Sequence, residues 1–84
     1  MKNRIKEFRE SLGLTQEQLG ELVGVSRQAI NSIETEKFEP SIWLAYDICT
    51  TFQSSIEEIF LFEESERKSR AQISRGKSDG NKRN

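Results

Sequence analysis

Residues 16–35 read QEQLGELVGVSRQAINSIET, and the fold turns on them. Leu19, Leu22 and Val23 share one face of a first short helical run, which Gly24 and Val25 interrupt. Ser26 opens a second run in which, at ~100° per residue, Ala29, Ile30 and Ile33 occupy one arc. Arg27, Gln28, Asn31, Ser32 and Thr35 fill roughly 140° on the opposite side, a front of donors and acceptors with almost no acid. Arg and Gln are the side chains that pair bidentately with guanine and adenine edges in a major groove. Gly24 permits a tight left-handed turn, and the small Gly20 lets the two helices cross closely. The stretch therefore reads as a helix-turn-helix offering Arg27, Gln28, Asn31 and Ser32 to base edges of double-stranded DNA, the last two through water where they fall short.

Outward from that stretch, the apolar spacing continues to be helical. Ile5, Phe8 and Leu12 recur at three- and four-residue intervals, so a first amphipathic helix is expected over Asn3–Leu12, ended by Gly13. Thr15, with Gln18 three residues on, forms a capping-box pattern for the next helix. Glu36–Pro40 reads as a loop with Phe38 as its apolar anchor. Ser41 opens a fourth helix whose expected inward face is Ile42, Ala45, Ile48, Cys49 and Phe52, with Leu44 beside it and Trp43 turned away. After a break at Gln53–Ser54, Ser55 caps a fifth helix containing Ile56, Ile59 and Phe60, with Glu57 and Glu58 near its positive end. Five short helices with small connections predict an all-α orthogonal bundle.

These residues resemble the helix-turn-helix of the Cro and phage-repressor type regulators, the xenobiotic-response-element family. The likeness is carried by Gln16, Gly20, Gly24, the apolar Leu19, Val23, Val25, Ile30 and Ile33, and the run from Ser26 to Glu34. It continues through Lys37, Pro40–Ser41 and the I-E-E-I-F segment Ile56–Phe60, spanning residues 3–62. The resemblance implies a compact five-helix, lambda-repressor-like bundle. It assigns phosphate contacts to Gln16, Lys37 and the start of the fourth helix near Ser41; Ser26, at a helix start with free N–H groups, joins them. It also implies that Glu34 pairs with Arg9 of the first helix in a structural role, tying the recognition helix to the scaffold. Some compact relatives add a terminal strand pair, here Leu61–Glu63 against Met1–Arg4. Two departures stand out: Thr35-Glu36 replaces the Asn-Gly many members carry after the second helix of the motif, and Trp43 replaces a polar residue.

The 84 residues suit one small domain. Residues 1–66 hold six basic and thirteen acidic residues, net −7, whereas 67–84 hold seven basic and one acidic, net +6. The chain thus divides into a DNA-binding domain, 1–66, and a basic tail, 67–84, whose composition buries too little to offset ordering entropy and predicts disorder. An acidic body that binds a polyanion must present its cations locally or borrow them from the tail. Cys49, the only cysteine, rules out an internal disulfide, suits a reducing cytoplasm and reads as a core residue. With no His there is no usual zinc set, and no metal, cofactor or small-molecule ligand is expected. No apolar run approaches the ~20 residues of a membrane span.

One recognition helix reads only a few base pairs, so a homodimer on a palindromic operator is expected, acting as a transcriptional regulator and foremost a repressor. Leu61 and Phe62, apolar and without an obvious place in the bundle, are the expected dimer interface. The alternative is an antitoxin or other protein-binding partner using the motif for autoregulation or docking. A toxin-wrapping tail needs apolar anchors, and this one supplies only Ala71 and Ile73. An enzyme is the weakest reading, because Asp47, Glu57 and Glu58 are explained as solvated helix charges.

Overall fold

Each helix begins where a hydroxyl side chain can satisfy a free backbone N–H, except the first. The computed structural model describes residues 1–63 and Ser65, so the expectations for the tail lie outside the described residues. Five helices result: α1 (Ile5–Ser11), α2 (Gln16–Val23), α3 (Arg27–Glu34), α4 (Ile42–Phe52) and α5 (Ile56–Ile59). Thr15 Oγ1 accepts the Gln18 N–H at 3.0 Å while Gln18 Oε1 accepts the Thr15 N–H at 2.8 Å, closing a capping box. Ser26, Ser41 and Ser55 cap α3, α4 and α5 in the same way, and Ser55 with Glu58 forms a second box.

The chain turns tightly after each of the first four helices. Gly24 sits at φ +82° and lets the main chain reverse between α2 and α3. A Cβ on Gly20 would lie 2.5 Å from the carbonyl oxygen of Val25, so the close crossing of α2 and the turn needs a residue without a side chain. This crossing also turns the buried arc of α2 toward Leu19 and Gly20, which leaves Leu22 61% exposed rather than sharing the buried face.

α2 packs mainly against α3 and also touches α4, which in turn packs on α5. Ile5, Leu19, Ile30, Ile33, Ala45, Ile48, Cys49, Phe52, Ile59 and Phe60 form one core, and the Phe8 and Phe52 rings meet at 5.6 Å. Ile42 is 80% exposed, against the expectation that it faces inward. The buried arc of α4 runs through Ala45, Ile48 and Phe52, and Ile42 lies in the first turn at its edge, left uncovered by the other described residues.

No terminal strand pair forms among the described residues. A single antiparallel bridge joins Asn3 to Phe60, with the Arg4 N–H donating to Ile59 O at 2.7 Å and the Leu61 N–H to Lys2 O at 2.9 Å. The pairing is centred on Phe60, whose ring is buried, rather than on Leu61–Glu63. Asn3 Nδ2 also donates to Ile33 O at 2.9 Å, which fastens the N-terminal segment to the end of α3. α1 accordingly starts at Ile5 rather than Asn3.

Candidate nucleic-acid interface

The front of α3 follows from its period. With Ile30 and Ile33 buried, Arg27, Gln28 and Asn31 emerge into solvent and Ser32 is half-buried between. Four ion pairs form among the described residues, and none uses the exposed Arg27 or Lys37. The Ser26 and Ser41 hydroxyls accept backbone N–H groups of their own helices, which leaves each O–H able to donate to a phosphate oxygen.

Behind this front lies a polar brace. Arg9 Nε donates to Glu34 Oε2 at 2.7 Å, Arg9 Nη2 to Glu34 Oε1 at 3.2 Å, and Arg9 Nη1 to Leu14 O at 2.8 Å. The Glu34 carboxylate raises the Arg9 pKa above its ordinary value, against the opposing effect of burial. Gln16 Nε2 donates both to Glu34 Oε1 at 3.0 Å and to Asn31 Oδ1 at 3.1 Å. Its two amide hydrogens are therefore spent within the protein, and a phosphate at this point would meet the main-chain N–H of Gln16 at the start of α2. Asn31, held by the same bond, keeps its own amide N–H groups to donate.

After α3 the chain turns through a motif that normally uses glycine. The Lys37 N–H donates to Ser32 O at 2.9 Å and the Glu36 N–H to Ile33 O at 3.0 Å, with Glu36 at φ +67°. This turn sets Lys37 and Phe38 beside α3. Phe38 is 53% exposed and does not anchor the loop in the core as expected. Phe38 instead lines an open hollow of about 470 Å³ together with Ser26, Gln28, Ala29, Ser32 and Lys37. The period of α3 assigns Ala29 to its apolar back, yet Ala29 reaches this hollow too. Neither could be found from sequence, because the hollow exists only once the turn after α3 is set.

α4 and the segment after α5 expose further apolar residues. Ile42, Trp43 and Tyr46 are mostly solvent-facing, and the Trp43 and Tyr46 rings meet edge to face at 6.0 Å. Leu61 is half-buried and Phe62 exposed. No helix among the described residues is long and apolar enough to cross a membrane.

The Helix-turn-helix family matches residues 5–59. An HTH-type transcriptional regulator of Archaeoglobus fulgidus is 48% identical over 66 residues, covering 79% of this chain and 93% of the relative. The P22 c2 repressor, solved in complex with a synthetic operator, superposes with a TM-score of 0.62 at 33% identity, covering 64% of this chain and 82% of that one. The N-terminal DNA-binding domain of SinR from Bacillus subtilis gives 0.62 at 30% identity, covering 75% and 91%.

Proposed function

The chain belongs to the helix-turn-helix family of DNA-binding transcriptional regulators, which are not enzymes, and from that premise we propose that it is a cytoplasmic repressor reading a palindromic operator as a homodimer. The observation that carries this reading is the solvent-facing front of α3, where Arg27 and Gln28 stand free above a braced scaffold. Arg27 and Gln28 pair with base edges in the major groove, while Asn31 and Ser32 reach theirs directly or through water. Lys37, the Ser26 and Ser41 hydroxyls and the main-chain N–H of Gln16 hold phosphates on either side. Repression is favoured by the likeness to a repressor solved with its operator. The free thiol of Cys49 fits a reducing cytoplasm.

The dimer contact uses α5 with Leu61 and Phe62, extended by the exposed Ile42, Trp43 and Tyr46 of α4. Selection of bound DNA from a random pool tests the reading. Two inverted half-sites about one helical turn, ~10 base pairs, apart are expected. Recovery of no enriched sequence would refute operator reading, and an asymmetric single site would refute the dimer.

A further inference from the structure

Residues 1–4 form no helix, yet they strap together two parts of the domain that are far apart in sequence. Asn3 spends its whole side chain inside the protein. Its Nδ2 donates to Ile33 O at 2.9 Å and to Met1 O at 3.2 Å, and its Oδ1 accepts the Ile5 N–H at 3.2 Å. Ile33 O also accepts the Glu36 N–H at 3.0 Å, so the Asn3 amide joins the turn that closes α3 and leads to Lys37. On the main chain, the bonds from the Arg4 N–H to Ile59 O and from the Leu61 N–H to Lys2 O flank Asn3 and Phe60. These two are therefore a directly opposed pair without mutual hydrogen bonds, the kind whose side chains lie closest. The main helix packing links α5 to α3 by way of α4 and α2, whereas through Asn3 the link is one residue long.

We propose that Asn3 is a positioning residue that couples the dimer contact to DNA binding. The inference rests on the dimer and DNA-reading roles assigned above. A four-residue segment outside any helix opens locally at far lower cost than the domain unfolds, so this strap has a docked state and a released one. On release the Asn3 amide and Ile33 O turn to water, and the turn before Lys37 loses a restraint. A partner packed on Leu61 and Phe62 favours the docked state, because the Leu61 N–H is held by Lys2 O beside Asn3. A phosphate on Lys37 favours the same state, because a turn fixed beforehand loses less freedom on binding. Two partners that favour one state of a shared element strengthen each other, by the same factor in each direction.

A duplex carrying one half-site of the selected operator binds a single protomer, so it cannot link two protomers through DNA. Sedimentation of the full chain gives the dimer dissociation constant with and without this duplex at saturation. The duplex should tighten the dimer about fivefold, the worth of one hydrogen bond. Asn3→Asp keeps an oxygen for the Ile5 N–H but replaces the donor to Ile33 O, and Asn3→Ala removes both. In both variants the ratio should fall to near one, while dimer formation and half-site binding each persist. A loss of thermal stability with the ratio unchanged would make Asn3 structural only and overturn the proposal, as would a ratio of one in the unaltered chain. A second measurement needs no variant: amide exchange at Glu36 and Lys37 should slow as the protein concentration is raised through the dimer transition. Exchange at these amides that ignores dimerisation would also overturn it. A chain that stays monomeric, or binds no duplex, would bring down the dimeric regulator reading itself and this coupling with it, a result distinct from these.

Discussion

Arg9 and Glu34, 25 residues apart in sequence, grip each other through two hydrogen bonds of 2.7 and 3.2 Å with both side chains almost fully buried. The guanidinium spends a third N–H on Leu14 O, so α1, the turn before α2 and the end of α3 converge on one planar group. Removing one partner from such a pair costs more than the pair itself contributes, because the other charge is left desolvated. Glu34→Ala is expected to lose about 3–5 kcal/mol of stability, a large share of a small domain's total. A double change to Met at Arg9 and Leu at Glu34 should recover much of it. Urea unfolding of the three proteins checks both statements; a loss under about 0.5 kcal/mol for Glu34→Ala would place the pair among screened surface contacts.

Glu36 offers a stability gain. It occupies the left-handed position at φ +67° that closes α3, where a side chain costs about 1–2 kcal/mol and glycine costs little. Glu36→Gly should stabilise the domain by roughly 0.5–1 kcal/mol after the added entropy of the unfolded chain is subtracted. Thermal unfolding reads this directly, and a lower midpoint would mean that the Glu36 side chain makes a compensating contact. The same change removes an acid beside Lys37, so DNA affinity should rise at low salt.

Local chemistry was legible in the residues and tertiary angles were not. Thr15, Ser26, Ser41 and Ser55 act as caps because the hydroxyl and the N–H it accepts lie within three residues of one another. The polar front of α3 follows from helical period once Ile30 and Ile33 are taken as core. Ile42, Leu22 and Phe38 failed as core residues because coverage depends on which neighbour crosses above them, and spacing carries no such information. Phe60 is buried although it lies beyond α5, held by the bridge to Asn3. At the candidate site, the inward hydrogen bonds of Gln16 and the hollow beside Phe38 both depend on contacts between segments far apart in sequence.

Cys49 should be chemically quiet in the folded protein. Burial pushes its thiol pKa up, which lowers the thiolate fraction at neutral pH, and the thiolate is the reacting species. Alkylation by iodoacetamide is expected to be slow in buffer and to rise to the free-thiol rate across the denaturant transition. Rapid labelling of the native protein would show that the α4–α5 face opens readily.

Base and phosphate contacts are separable by mutation. Gln28→Ala should weaken binding to the preferred operator by about 1–3 kcal/mol and leave binding to random DNA almost unchanged. Lys37→Ala should weaken all sequences alike and lower the salt slope by about one unit. Competition assays at several salt concentrations distinguish them. Equal loss on specific and random DNA for Gln28→Ala would remove that side chain from the reading face.

The charge division of the chain leads to the final prediction. Residues 1–66 carry net −7, which repels a polyanion beyond the immediate contact surface, whereas residues 67–84 carry net +6. Among the described residues the core lies between Ile5 and Phe60, so deletion from Arg67 onward is expected to leave the fold intact. Sequence preference should also survive, because the side chains proposed to read bases are on α3. Affinity should fall, and the dependence of log K on log salt should become shallower by ~0.9 for every phosphate the tail no longer neutralises. In a dimer the loss doubles, since two tails go at once. If instead residues 67–84 associate with the acidic body of their own chain, deletion leaves the slope as it was. Salt titrations of the full and shortened chains on one operator give the answer, and parallel lines would deny the tail a part in DNA binding.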